Sequence, residues 1–221
     1  MRSANLLAAF SETDDELRSP RKRKAILRAS AEVFLRNGYL GTSVDEVAGV
    51  AGVSKQTVYK HFSDKESLFR ELIVILVASA ADTVEAGMQN FDFDGNIESS
   101  LFDLAVRQLE IVMTPAIIQL RRLVIGEVSR FPALAKTFYE DGPARTIDSL
   151  TALFERLSIR GYLNIDDARV AAAQFNWLVM SSPLNRALFL GDDAIPTGKA
   201  LRKDAEQGVR MFLAAYRAKA A

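Results

Sequence analysis

Cysteine is absent from the 221 residues, which excludes a disulfide framework, a thiolate metal site and a cysteine nucleophile. Histidine occurs once, at His61, and no phosphate-binding or dinucleotide-type glycine loop is present. The paired acids Asp14-Asp15, Asp166-Asp167 and Asp192-Asp193 fall on a terminal arm or at helix starts, where capping accounts for them. No catalysis, cofactor or metal is therefore expected. Long apolar runs are missing too: nothing approaches the ~20 residues of a membrane span. The run from Leu6 to Phe10 is too short for a secretory-signal core. A cytoplasmic protein without a membrane partner is the expectation.

Net charge is also lacking, with 28 Lys and Arg against 28 Asp and Glu. Its distribution is uneven. From Arg18 to Phe62 there are nine basic residues (Arg18, Arg21, Lys22, Arg23, Lys24, Arg28, Arg36, Lys55, Lys60) against Glu32, Asp45 and Glu46. A small basic segment on a chain that is acidic elsewhere is what a partner made of phosphates selects.

What is present is helical pattern, with 49% hydrophobic and 25% charged residues. Residues 1–18 carry no sustained period and read as a flexible arm. Ser19-Pro20 supplies a helix start, and Ile26, Ala29, Val33 and Phe34 form one stripe of a helix that stops at Asn37-Gly38. Three hydroxyl-led starts follow, at Ser43 with Glu46, at Ser54, and at Ser63 with Glu66. The first two open helices of under ten residues separated by Ala51-Gly52-Val53, a helix-turn-helix spacing. The third opens a long helix to about Gln89. Beyond a loop at 90–96, the pattern predicts helices at about 97–113, 115–130, 132–140, 143–160, 166–190 with a kink at Pro183, and 198–218. No segment alternates with period two.

Residues 38–69 read G-Y-L-G-T-S-V-D-E-V-A-G-V-A-G-V-S-K-Q-T-V-Y-K-H-F-S-D-K-E-S-L-F. This run resembles the DNA-binding head of the TetR/AcrR family of bacterial transcriptional regulators. The likeness rests on the G-T-S start, the A-G-V-S turn, T-V-Y-x-H-F and F-x-x-K-E-x-L-F at their spacing. Gln56 departs from the glycine that many members carry there. The stretch 121–145, with R-L-V-I-G-E-V-S-R-F-P-A-L-A-K-T-F-Y-E-D-G-P-A-R, is similar to the AefR-like subgroup. The resemblance implies an all-α fold: a three-helix head at 19–66, joined by a long fourth helix to a helical dimerisation and effector-binding domain at 67–221. It also implies a homodimer on a palindromic duplex operator, usually a repressor released by a small ligand.

Within the head, Lys55 and Gln56 are the best base readers, lysine toward guanine O6/N7 and glutamine toward adenine N6/N7. Thr57 suits a thymine methyl. Thr42, Ser43, Tyr59, Lys60, His61 and Lys65 are phosphate candidates. Ser43 and Ser54 cap helices whether or not DNA binds, Tyr59 is alternatively packed under the head, and His61 is alternatively structural. In the second domain Phe102, Met113, Arg121, Arg122, Glu127, Phe138, Phe175, Trp177 and Met180 are candidates for a ligand cavity. The aromatics among them serve equally as core, whereas Arg121, Arg122 and Glu127 need a partner or a ligand if they face inward. The last two long helices have wide apolar faces suited to a four-helix dimer interface, with burial inside one chain as the competing account. Two other functions stay open: a constitutive or architectural DNA binder that senses nothing, and, further off, a helical enzyme.

Overall fold

The computed structural model describes residues 18–218, so the expected arm lies outside the described residues except for Arg18. The described residues are all-α, with one isolated antiparallel bridge between Leu163 and Arg217. In chain order the helices are α1 (Arg18–Gly41), α2 (Val44–Val50), α3 (Lys55–His61), α4 (Lys65–Gln89) and α5 (Ile97–Val112). They continue as α6 (Pro115–Gly126), α7 (Pro132–Tyr139), α8 (Arg145–Ile159), α9 (Ala168–Leu190) and α10 (Lys199–Tyr216). Two compact units result. One holds residues 18–79 together with Gln119–Phe138, the other Ala80–Ile118 together with residues 139–218.

In the first unit, Ile26, Ala29, Val33 and Phe34 are all buried, which is the stripe the spacing predicts. Helix α1 is already helical at Arg18, so Ser19 lies inside it and is not its cap; Pro20 is tolerated there because first-turn amides have no intrahelical acceptor. Its regular course ends at Gly38 (φ 72°), followed by a further turn to Gly41. Helices α2 and α3 have seven residues each, too few to persist alone in water. Both are capped as expected, Ser43 accepting from Glu46 N at 3.1 Å and Ser54 from Thr57 N at 3.2 Å. Between them Gly52 takes φ 65°, a left-handed turn that a β-carbon would strain.

The start of α4 departs from the expectation. Asp64, not Ser63, is the cap: its Oδ1 accepts from Ser67 N at 2.6 Å, and Ser67 Oγ returns a bond from Asp64 N at 3.2 Å. These bonds hold the Asp64 carboxyl below its ordinary range, the Ser67 amide contributing most. A carboxylate satisfies an amide at a helix N-terminus better than a hydroxyl does, which leaves Ser63 to bond Ser67 Oγ at 3.1 Å. Glu66 pairs with Arg70 at 2.8 Å, one turn on.

In the second unit α9 packs against α8 and α10, and α5 packs on α10. Phe154, Phe175 and Phe212 form its aromatic centre, with ring centroids 5.0–5.3 Å apart. A buried hydrogen bond from Gln108 Nε2 to Asn176 Oδ1, 2.8 Å, ties α5 to α9. Two punctuation signals act differently from the pattern. Gly142-Pro143 opens no separate helix: residues Glu140–Ala144 form a π-helical turn linking α7 directly to α8. A widened turn absorbs the amide that proline lacks. Helix α6 stops at Gly126, four residues short of the expected end, and Glu127–Arg130 form turns. Pro183 lies buried inside α9 without ending it.

Helices α9 and α10 touch most closely at Gly208, where a β-carbon would sit 2.9 Å from Val179 Cγ2 and 3.0 Å from the Leu178 carbonyl oxygen and Val179 Cα. Two of those three atoms are backbone and cannot move aside. Gly208→Ala is expected to lower unfolding stability by about 1–3 kcal/mol, the usual range for overpacking, despite alanine's better helix propensity. Chemical denaturation of the two proteins side by side is the check.

Candidate nucleic-acid interface

The two short helices are fixed to the rest of their unit by apolar anchors and a polar clamp. Val47 and Ala48 of α2 and Val58 of α3 are buried. Glu46 accepts from Asn37 Nδ2 at 2.9 and 3.1 Å and from Arg36 Nη2 at 2.7 Å, so its carboxylate secures α2 to α1. Beneath them lies a second aromatic cluster. Phe69 sits 5.0 Å from both Phe34 and Tyr39, and Phe131 meets Tyr39 edge-on at 4.8 Å. Phe131 stands at the turn before α7, so this turn is part of the floor of the head.

With Val58 turned inward, α3 presents Lys55, Gln56, Tyr59 and Lys60 on its exposed side. Tyr59 is 45% exposed, which removes packing under the head as its role. Thr57 is half-buried and its hydroxyl lies 2.9 Å from Ser54 Oγ. Lys55 Nζ pairs with Asp45 Oδ2 at 2.8 Å, and that bond raises the lysine above its ordinary pKa. His61 is partly buried against Phe62. Burial first, then Arg23, Lys60 and Lys22, lower its pKa below the usual histidine value.

Two phosphate candidates are placed otherwise. Thr42 is 4% exposed and its hydroxyl donates to Gly38 O at 2.8 Å, closing the turn between α1 and α2. Lys65 Nζ donates to Tyr39 O and Thr42 O, both at 2.8 Å, and lies 4.5 Å from the centre of the Tyr39 ring. Its ammonium thus satisfies carbonyls at the end of α1, and burial lowers its pKa. The basic run before the head is also partly structural. Arg23 pairs with Glu71 and lies over the Phe62 ring at 5.3 Å. Sequence reading missed Asp45, Asp64 and the floor residues Tyr39 and Phe131; Asp45 meets Lys55 ten residues on, across the turn between α2 and α3, a pairing with no local signal.

The cavity candidates are divided between the two units. In the second unit Phe175 is packed in the aromatic centre, and Trp177, 44% exposed, faces away from it. Met113 and Met180 are buried. Phe102 lies 4.8 Å under Arg202 and borders an open groove of about 460 Å³ with Ser99, Glu206 and Arg210. In the first unit Glu127 is half-buried, 3.7 Å from Arg130, and Arg121 lies over the Phe138 ring at 5.7 Å. Arg122 Nε is enclosed, while the residue has a partner elsewhere.

A capped pair of seven-residue helices, the second baring lysine, glutamine and tyrosine beside a basic α1, is the architecture of a helix-turn-helix DNA-binding transcriptional regulator. The family model for bacterial regulatory proteins of the tetR family matches residues 26–72, and that for the AefR-like transcriptional repressor C-terminal domain matches 99–218. The chain belongs to the TetR family. A solved TetR-family regulator from Mesorhizobium loti is 36% identical, with a TM-score of 0.85 over 91% of this chain and all of that one. The flavonoid-responsive regulator FrrA is 32% identical, with a TM-score of 0.71 over 90% of this chain and 99% of that one. Among curated relatives, the regulator YhgD of Bacillus subtilis is 34% identical over 82 residues, 37% of this chain and 43% of its own length. The activator FasR of Mycolicibacterium smegmatis is 46% identical over 48 residues, 22% of each chain. The chain therefore spans less than half the length of these curated relatives. Among the described residues no helix is long and apolar enough to cross a membrane.

Lys65→Met removes two charged hydrogen bonds under the head. It is expected to lower unfolding stability by about 1–3 kcal/mol and to weaken DNA binding only to the extent that the head loosens. Thermal unfolding and DNA titration of the same samples separate the two effects.

Proposed function

We propose that this protein is a homodimeric repressor that binds a palindromic operator through α3 and is controlled by a small, lipophilic ligand. Residues 19–66 read DNA, and residues 67–221 dimerise and bind the effector. The observation that carries the reading is the exposed side of α3, rigidly backed by Val58, with Lys55 and Gln56 at its N-terminal end where a recognition helix meets base edges. Tyr59, Lys60 and His61, with the first-turn amides of α2 and α3 that the serine caps leave free, face the flanking phosphates. The name of the AefR-like repressor domain supports the sign of regulation, and that of the flavonoid-responsive relative supports control by a small molecule.

Dimerisation is supported by α9. No charged residue lies between Arg169 and Arg186, and the side turned away from α8 and α10 carries Val170, Trp177 and Leu178. Met211 of α10 is exposed too. An exposed face that mixes these large apolar groups with uncharged Gln174, Ser181 and Ser182 suits burial against a second copy. Two copies joined here would hold their α3 helices one DNA turn apart, about 34–36 Å. Trp177→Glu is expected to turn a dimer into a monomer in analytical ultracentrifugation, with helix content unchanged, and to abolish operator binding.

Footprinting upstream of the protein's own gene tests the operator. On the site found, Gln56→Ala should lose about 1–3 kcal/mol of discrimination at one base pair in each half-site. An equal loss on random duplex removes Gln56 from base reading.

His61 gives a pH signature. Its pKa is lowered in the free protein, and a phosphate contact would raise it, so binding takes up a proton. Affinity at fixed salt should therefore strengthen as pH falls from 7.5 through the ordinary histidine value. His61→Gln should flatten that slope; an unchanged slope in the variant assigns it to another group.

A further inference from the structure

Arg121, in the middle of α6, is largely buried, and its Nε is enclosed with no hydrogen-bond partner. Other arginines in the protein meet carboxylates: Arg36 meets Glu46, Arg145 meets Asp82 and Glu85, and Arg217 meets Glu98. Among the described residues no carboxylate forms an ion pair with Arg121. The contact it does make is with the ring of Phe138, 5.7 Å away within the same compact unit. Burial alone pulls its pKa down. A guanidinium nevertheless stays charged at any working pH. An aromatic face offsets part of the lost hydration, but it cannot accept the in-plane hydrogen bonds the fork offers. A cation partly withdrawn from water with one enclosed donor and no anion is destabilising, and the fold retains one here.

We propose that Arg121 anchors an effector site for a small organic anion, a carboxylate carried on an apolar body. The free Nε–H and the neighbouring Nη–H on the same edge form the two-pronged donor that a carboxylate takes up in plane. Phe138 lies against the group at 5.7 Å, and the Nε edge is closed over, so a carboxylate enters as the side chains around it part. Leu120 and Val124 of α6 and Leu134 of α7 are buried in the same unit, so the surroundings suit hydrocarbon. A doubly charged phosphate fits less well, since Arg122 is already engaged with a partner of its own. The site rests on the ligand-controlled reading above and names its ligand class. It also lies on the segment that supplies Phe131 to the floor of the head, ten residues on.

The test uses the full chain, unfolded, dialysed and refolded to remove carried-over small molecules. Thermal unfolding is followed with 4-phenylbutyrate and octanoate, and with 4-phenylbutyramide, which has the same apolar body without the charge. The acids are expected to raise Tm in a saturable way and the amide to leave it unchanged. Arg121→Met is expected to lose the response and, without ligand, to unfold at the wild-type temperature or above, because methionine fills the space without a charge to bury. If that variant does not fold, Arg121→Lys, which keeps the charge and loses the fork, should bind the acids more weakly than wild type. Equal shifts from acid and amide, no shift from either acid, or a response that survives in the variant would each overturn the site. Operator binding measured in parallel keeps the two readings apart. DNA binding without any anion response overturns the site and leaves the regulator; an anion response without effect on DNA supports the site and removes it from control.

Discussion

The head depends on the packing of four aromatic rings, Phe34, Tyr39, Phe69 and Phe131, beneath two helices that cannot hold their own shape. A seven-residue helix forms too few internal hydrogen bonds to offset its nucleation. Orientation of α3 is therefore inherited from its surroundings. Those are Val58 below, the Asn37 and Arg36 clamp on Glu46, and the Lys65 ammonium that ties the end of α1 to the start of α4. Because Phe131 belongs to a stretch far along the chain, the floor of the head is assembled from distant sequence. Phe131 thus joins Tyr39 and Phe69 in one set of packed rings below the short helices.

Much of this was legible in the sequence, for identifiable reasons. Ser43 and Ser54 announced the two short helices because capping is a local interaction between neighbours in the chain. The α1 stripe was equally plain, since a 3.6-residue period reports a buried face directly. The all-α class and the TetR resemblance both stand. Errors came where competition decided the outcome. Asp64 displaced Ser63 as a cap because two candidates stood side by side and the charged one binds an amide more strongly. Thr42 and Lys65, phosphate candidates by type, each also bond a carbonyl within the head, a contact that no local pattern announces. Pro143 looked like a break, but a π-turn let the chain continue helical. None of these contests can be judged without knowing which acceptors are near.

The second unit was less legible. Its aromatics sit at helical spacing whether they line a cavity or fill a core, and Phe175 fills one, while Trp177 on the same helix faces out. What marked Arg121, Arg122 and Glu127 alike in the sequence was charge that needs a partner or a ligand if it faces inward. Enclosure of the Arg121 Nε gives that concern a location.

The Asp45 carboxylate against Lys55 makes the outer edge of α3 a closed circuit before any encounter. Both side chains are at least half exposed, so water and salt screen the pair and it opens at little cost. Neutralised while shut and cationic once open, this edge of α3 carries a charge that rising ionic strength sets free before it weakens anything in the packed floor below.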